Sequence, residues 1–151
     1  ILGISSINFL DYPDMKLDTI PQLKINQDIE KEIRKRKPEI IYTTPNHDLN
    51  SDHRIVHDST LVASRPQSGV KKILSYEIPG IVKKTIHPNV FENIESELIY
   101  KLKAMRSYKS EIEKFPHPRS LKAIENLSIH RGIESGLKNA EAFQLLRNII
   151  K

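Results

Sequence analysis

The sequence contains no cysteine, and this absence excludes several kinds of site at once. Without thiols the chain can form no disulfide, no zinc site built on thiolates and no cysteine nucleophile. Such a composition fits a reducing compartment, and we expect a cytoplasmic protein. Any metal site must therefore use histidine or oxygen ligands.

The sequence also lacks an apolar run of membrane-spanning length, a signal peptide and an initiator methionine. It opens on Ile1-Leu2-Gly3-Ile4, which is typical of the interior of a longer protein. Its 151 residues, with 38% hydrophobic and 28% charged side chains, suffice for one domain with its own core. We therefore expect a single domain over residues 1–151 that is a fragment, a processed chain or one half of a split protein.

Positive charge is in mild excess, with a net charge of +5. This excess favours acidic small molecules or anionic polymers slightly, but it falls short of the clustered basic face of a nucleic-acid binder. The run Arg34-Lys35-Arg36-Lys37 is the strongest basic cluster, and we interpret it as a solvated helix end. A nucleic-acid patch is the alternative, and we expect no nucleic-acid partner.

Strand-like and helix-like patterns alternate along the first half of the chain, which is typical of an α/β protein with a parallel sheet. Two long helical patterns follow, the second capped by Ser120 and ended by Gly132 and Gly136. A loop is predicted at 79–93, and residues 140–150 fit either a strand or a helix. The predicted strands are Ser6–Leu10, Glu39–Thr44 and Lys72–Ile78, and the predicted helices are Asn26–Lys37, Asp52–Ser64, Ile94–Lys114 and the one after Ser120.

Metal-binding and proton-transfer groups concentrate in the stretch Thr43–Pro66. His53 is predicted in the first turn of a helix that follows a strand and a loop, which is the crevice position of an α/β sheet. Neutral imidazole is a common zinc ligand, so His53 is the candidate metal ligand. Asp52 can orient a neighbouring imidazole, and His47 can act as a general acid or stabilise an oxyanion.

Other interpretations of these residues stay open. His53 and His57 share one helical face and can bind zinc as a pair, although Arg54 stands where the metalloprotease motif needs glutamate. The histidines can also be ordinary surface or capping residues. Asp11 and Asp14, after the first predicted strand, either line a crevice or cap a turn.

The segment HDLNSDHRIV at 47–56, followed by ASRP at 63–66, resembles the second conserved block of the PIG-L/LmbE family of zinc-dependent deacetylases. Further segments resemble this family in the same order along the chain, and those from Pro88 onward resemble its bacterial subgroup. They are Leu10–Asp14, Ser75–Pro79, Pro88–Phe91, Lys103-Ala104, Tyr108–Glu111, Pro116–Ser120, Arg131-Gly132 and Ala140–Phe143.

The resemblance implies a Rossmann-like parallel sheet with flanking helices, incomplete at its N-terminus. It implies zinc-dependent hydrolysis of an N-acetyl group from an N-acetylglucosamine-type conjugate, with His53 as one zinc ligand. The family's other ligands and its general base come from an N-terminal His-Pro-Asp-Asp-Glu type motif. No histidine precedes His47, so this motif is missing and the chain resembles the C-terminal two-thirds of the family's domain.

Asn50 stands where many family members carry the histidine that stabilises the tetrahedral intermediate. The resemblance therefore assigns that role to His47, with Asp52 as the second catalytic residue. Substrate contacts are expected from Asp48, Asn50, Arg119 and Arg131, and for each arginine an ion pair between helices is the alternative.

These inferences predict a zinc-dependent N-deacetylase whose partner is an amino-sugar small molecule or glycoconjugate. The alternative is a catalytically inactive fragment or subunit that needs a separate N-terminal segment. Homo-oligomer formation stays open.

Overall fold

A computed structural model describes residues 1–80, 84 and 86–150. The chain divides into two compact units, residues 1–8 with 90–142 and residues 9–89 with 143–151. A single domain over residues 1–151 stays a prediction. The described helices are α1 (Gln22–Arg36), α2 (Ser51–Ala63), α3 (Leu98–Ser107) and α4 (Leu121–Ser135). The described strands are β1 (Ile40–Thr43), β2 (Lys72–Tyr76), β3 (Val90–Asn93) and β4 (Ala140–Asn148).

The strands form one mixed sheet in the order β1-β2-β4-β3. β1 and β2 are parallel, with Ile41 opposite Ile73 and Thr43 opposite Ser75. β4 runs antiparallel to β2, with an irregularity between Ile73 and Leu74. The crossover from β1 to β2 contains α2, as a parallel pair requires. The predicted α/β class is confirmed, and the parallel arrangement holds for the β1–β2 pair.

The core of the second unit lies between the sheet and helices α1 and α2. Ile33, Ala63, Val70 and Ile73 form one buried cluster, and Ile29 packs against it. The four-residue spacing of Ile29 and Ile33 places both on one face of α1, so the helix turns its charged residues to solvent. This packing fixes α2, and with it the first turn that carries His53.

The first unit is organised around α4, which begins as the sequence predicts. The Ser120 hydroxyl accepts a hydrogen bond from the Ala123 N–H at 3.1 Å, a standard N-terminal cap. The helix ends at Gly136, whose φ of 72° suits glycine. Gly132 lies inside α4 and does not end it, which corrects that part of the prediction.

Several predicted boundaries need correction. Ser6–Leu10 is exposed and does not form a strand, and the described sheet consists of β1–β4. α1 begins at Gln22, one turn before Asn26, with Pro21 as its N-cap residue. The predicted helix Ile94–Lys114 is shortened to α3, since Tyr108 leaves the helical conformation and turns follow.

The region predicted as a loop at 79–93 contains strand β3, and its residues 81–83 and 85 lie outside the described residues. The segment that fitted either a strand or a helix forms β4. No helix among the described residues is long and apolar enough to cross a membrane.

Candidate active site

The candidate site is built where β1 gives way to α2. A loop follows β1, and the Asn50 side chain caps the helix by accepting a hydrogen bond from the Asp52 N–H at 2.8 Å. His53 therefore lies in the first turn of α2, next to the carboxyl end of a parallel strand. Ligand crevices of open α/β sheets form at this position.

Asp48 is the buried anchor of the site. Its residue is 0% exposed, and its Oδ1 accepts from the Asn50 N–H at 2.8 Å. Its Oδ2 lies 2.7 Å from His53 Nδ1. An ionised carboxylate only accepts hydrogen bonds, so Nδ1 of His53 carries the hydrogen and Nε2 keeps its lone pair in the neutral ring. Metal-binding histidines commonly have this arrangement.

Two further contacts hold the loop against α2. Arg54 Nη1 donates to the carbonyl oxygens of Asp48 and Leu49 at 2.6 and 2.7 Å. The Thr44 hydroxyl donates to the His53 carbonyl at 2.7 Å. The loop that carries His47 and Asp48 is thus tied to the helix that carries His53. The side chain of His53 remains 31% exposed, so solvent reaches the ring.

Asp52 does not make the contact that sequence reasoning assigned to it. Its Oδ1 accepts a hydrogen bond from the backbone N–H of Leu17 at 3.0 Å, across 35 residues of sequence. Asp48 is the carboxylate that orients His53, so the orienting role moves from Asp52 to Asp48. Asp52 instead holds the segment before α1 against the first turn of α2.

His57 is a buried residue with a different partner. Its Nδ1 lies 2.6 Å from the Thr44 carbonyl, which also accepts from the Ser75 hydroxyl at 3.2 Å. The ring is therefore anchored to the end of β1 in the core, where only 3% of the residue is exposed. His53 and His57 share a helix, but Asp48 and Thr44 fix their rings separately.

His47 lies in the loop, partly exposed, and makes no side-chain hydrogen bond within the described part of the chain. Its imidazole is thus available to a ligand. Asp11 and Asp14 precede α1 and are exposed, and Asp11 adopts a left-handed conformation with φ of 54°.

Tyr76 is a further candidate, to which the sequence alone assigns no role. It ends β2, the strand next to β1. Burial and then the charge of Asp48 raise the pKa of its phenol, so the hydroxyl stays protonated at neutral pH and can donate a hydrogen bond. The sequence pattern that could have identified Tyr76 is its position at the carboxyl end of the second strand of a parallel pair, where ligand crevices form.

The two arginines predicted to contact substrate both belong to the first unit. Arg119 forms an exposed ion pair with Glu111. Arg131 is buried, and its Nη1 donates to Glu134 at 2.6 Å, a bond that lowers the pKa of that carboxyl. Their role in substrate binding stays a prediction.

No group of three or more histidine and carboxylate side chains that could hold a metal ion occurs within residues 1–80, 84 and 86–150. His53 nevertheless fits as a single ligand, because its Nδ1 is fixed and its Nε2 is free. The described residues thus provide one oriented ligand.

The PIG-L family, described as GlcNAc-PI de-N-acetylase, matches residues 1–64. This match supports the PIG-L/LmbE family. It includes His47, Asp48, Asp52 and His53, so the sequence similarity extends over the loop and the first turn of α2. Comparison with curated proteins finds no significant sequence match.

Two solved structures share the fold. One is the conserved protein TT1542 from Thermus thermophilus, with a TM-score of 0.72 and 16% identity. The other is N,N'-diacetylchitobiose deacetylase from Pyrococcus horikoshii in complex with its inhibitor MPG, with a TM-score of 0.73 and 19% identity. The matches cover 94% and 96% of this chain, but only 66% and 58% of those two proteins. The chain thus spans only part of the length of these two proteins.

Proposed function

We propose that this chain is a partial PIG-L/LmbE domain of a zinc-dependent N-deacetylase acting on an N-acetylglucosamine-type conjugate. One observation carries the proposal. His53 Nδ1 is held by the fully buried Asp48 at 2.7 Å within the segment that matches the PIG-L family. The N,N'-diacetylchitobiose deacetylase with the same fold supports the choice of an acetylated amino sugar as substrate.

The imidazole of His53 is a ligand that suits zinc. Nε2 of His53 would be its ligand from this chain, and the remaining ligands would come from a further segment with the His-Pro-Asp-Asp type motif. When bound, zinc supplies the Lewis acidity that makes water nucleophilic at neutral pH and polarises an amide carbonyl. Asp48 prevents rotation of the His53 ring and fixes the tautomer that leaves Nε2 available to the metal.

The chain's own residues then have distinct roles in amide hydrolysis. His47, free in the loop, donates a hydrogen bond to the carbonyl oxygen as negative charge develops on it. An acidic residue of the further segment takes the proton of the attacking water and passes it to the leaving amine. Asp52 keeps the first turn of α2 in place through Leu17 and is a positioning residue. Asp48 acts through His53, Asn50 caps the helix, and Arg119 and Arg131 remain proposed substrate contacts.

A second candidate is a catalytically inactive fragment or subunit that becomes active only with a separate N-terminal segment. The specific observation that favours it is the lack of any group of three metal-binding side chains among the described residues. In both cases we propose an amino-sugar or glycoconjugate partner, no nucleic-acid partner and a cytoplasmic location.

Metal analysis tests the proposal. We expect the chain joined to its upstream segment to bind about one zinc ion per molecule, as one catalytic site requires. His53→Ala should lose this zinc, whereas His130→Ala, an exposed histidine on α4, should retain it. Zinc retained by His53→Ala would show the site assignment to be wrong.

Acetate release from N-acetylglucosamine conjugates then tests the deacetylase activity that both candidates assign to the complete protein. The enzyme proposal expects release by the zinc-loaded complete protein and loss of release in His47→Ala with zinc content unchanged. Full zinc occupancy without acetate release from any such conjugate would overturn the deacetylase assignment.

A further inference from the structure

A cleft lies between the C-terminal half of α1 and the turn that follows α2, within the second unit. Its volume is about 290 Å³, and it adjoins a second depression of about 260 Å³ that shares Ile33, Arg34 and Ser68. Ile33 and Ala63, 4% and 2% exposed, supply apolar wall. The cleft lies at the C-terminal end of α2, whereas His53 lies in the first turn of that helix. It is therefore separate from the candidate active site.

The polar lining of the two depressions is mostly cationic. Arg34 and Lys37 contribute from α1 and its C-cap, and Arg65 contributes from the turn after α2. Glu30 is the acidic residue among those that line the cleft, and its carboxylate is engaged by Arg34 Nη2 at 3.0 Å. Neither Lys37 nor Arg65 has a carboxylate partner within the described part of the chain.

Arg147 adds positive charge behind the same turn. Its Nη2 donates to the carbonyl oxygens of Ser64 and Val70, the residues that flank the segment 65–69. Its Nε is buried and has no hydrogen-bond partner among the described residues. No described carboxylate neutralises this guanidinium, so positive charge is in excess around the cleft. The apolar wall of the cleft screens this charge poorly.

The remaining donors suit a small oxyanion. Arg65 uses Nε to bind the Val62 carbonyl, which leaves the two terminal nitrogens of its guanidinium as a fork. The Ser68 hydroxyl accepts from the Val70 N–H at 3.3 Å and keeps its own hydrogen for a ligand. Gln67 adds an amide to the lining. Guanidinium forks with hydroxyl and amide donors are the usual partners of phosphate oxygens.

We propose that this cleft is a second, non-catalytic site that binds a phosphate monoester group. Arg65 and Arg34 bind the phosphate oxygens from opposite walls, and Lys37 and Ser68 complete the contacts. A monoester is favoured because its charge of about −1.5 to −2 at neutral pH matches Lys37 and Arg65, the two lining cations without a described carboxylate partner. The group can come from free phosphate or from a lipid headgroup, and the chemistry of recognition is the same for both.

The test compares two pairs of substitutions on α1 that remove the same charge. Arg34→Gln with Lys37→Gln alters the cleft, whereas Lys31→Gln with Lys35→Gln alters exposed residues of the same helix that do not line it. Inorganic phosphate is titrated at constant ionic strength, and the backbone amide signals of residues 67–70 are followed by NMR. Loss of the Arg34 and Lys37 charges should weaken binding by about tenfold or more, and the control pair should bind as the parent does.

Glu30→Gln gives a test in the opposite direction. It removes the carboxylate that occupies Arg34, so phosphate should bind about threefold to tenfold more tightly. Weaker or unchanged binding in Glu30→Gln, or equal losses of binding in the cleft double variant and the control double variant, would overturn the proposal. Unchanged melting temperatures exclude misfolding as the cause of any difference.

Vesicles identify the source of the phosphate. Phosphatidylcholine vesicles that contain phosphatidic acid present the monoester, and vesicles that contain phosphatidylglycerol present a diester headgroup. Binding that needs phosphatidic acid and the cleft arginines assigns a lipid source, and binding of inorganic phosphate alone assigns a free one. Equal binding to both kinds of vesicle, or no binding to phosphate or phosphatidic acid, contradicts the proposed monoester site.

Discussion

Asp48 Oδ2 and His53 Nδ1 lie 2.7 Å apart, and Asp48 is fully buried while His53 is partly exposed. The pair connects the interior of the protein to its surface through a single hydrogen bond. The buried carboxylate also accepts the Asn50 N–H, so the loop conformation and the ring orientation depend on the same residue. The candidate site is thus set by the loop before α2 as much as by α2 itself.

Asp48→Asn should change which ring nitrogen of His53 carries the hydrogen, in addition to removing one negative charge. An asparagine amide can present its NH2 group to Nδ1, which removes the preference for hydrogen on that nitrogen. In the complete protein we expect zinc affinity to fall by about 10-fold to 100-fold, measured by competition with a chelator. In this chain the ¹⁵N shifts of the His53 ring should show a mixture of tautomers.

Asp58→Asn is the matched control, because Asp58 is exposed on the same helix and loses the same charge. A zinc affinity equal to that of the parent in Asp48→Asn would contradict the orienting role of Asp48.

Local sequence patterns were sufficient to predict the strand and the helix that hold this site, β1 and α2. The sequence offers Asn50 or Ser51 as the cap before an apolar helical pattern, and Asn50 is the residue that caps α2. The β-branched run before it forms β1, shorter by one residue at each end than predicted. Both elements are specified by their own residues, so the pattern alone places His53 in a first turn.

Contacts between distant segments could not be predicted in this way. The hydrogen bond from Leu17 to Asp52 crosses 35 residues, and no periodicity or cap rule relates the two positions. The choice between Asp48 and Asp52 as the partner of His53 likewise depends on the loop conformation. Ser6–Leu10 has a strand-like composition, but a strand needs a paired neighbour, which a composition does not supply.

Asp52→Ala should destabilise the protein by about 1–3 kcal/mol, because the buried Leu17 N–H loses its partner. For a chain of this size the melting temperature should fall by about 2–4 °C for each kcal/mol. Asp52→Asn keeps an acceptor oxygen at the same place and should recover most of this loss. Equal melting temperatures for the parent and Asp52→Ala, measured by circular dichroism, would show that the contact does not stabilise the fold.

The Tyr12 phenol should lose its proton at a higher pH than an ordinary tyrosine. Burial, followed by the hydrogen bond to Asp28 Oδ2 at 2.5 Å and the charge of that carboxylate, raises the pKa of its phenol to about 12. Because the pKa rises from 10.0 on folding, the protonated phenol stabilises the folded state fully below pH 10. That contribution should be lost as the pH rises from 10 towards 12.

Ultraviolet absorbance during an alkaline titration measures this pKa. Tyr12→Phe identifies the signal, and Tyr76→Phe removes the other tyrosine whose pKa is raised. Asp28→Asn should move the Tyr12 transition to lower pH, since it removes the negative charge beside the phenol. A transition that stays in place in Asp28→Asn would leave burial as the sole cause.

Gly132 lies inside α4, where a side chain has no room. A Cβ at this position would stand 2.6 Å from the carbonyl oxygens of both Leu137 and Lys138. These are backbone atoms, so relief requires the chain after α4 to move away from the helix. Gly132→Ala should therefore destabilise the protein by about 1–3 kcal/mol, in spite of the better helix propensity of alanine.

Gly136→Ala distinguishes this contact from ordinary glycine effects. Its Cβ would meet nothing within 4 Å, but its φ of 72° is left-handed, so alanine should cost about 1–2 kcal/mol through backbone strain alone. Chemical denaturation of the two variants gives both free energies of unfolding. Only Gly132→Ala should displace residues 137–138. Amide hydrogen exchange at Leu137 measures this displacement, because the Leu137 N–H donates to the Gly132 carbonyl at 2.8 Å. If Gly132→Ala leaves the exchange rate at Leu137 unchanged, the added Cβ does not collide with the backbone of residues 137–138, and the proposed crowding is wrong.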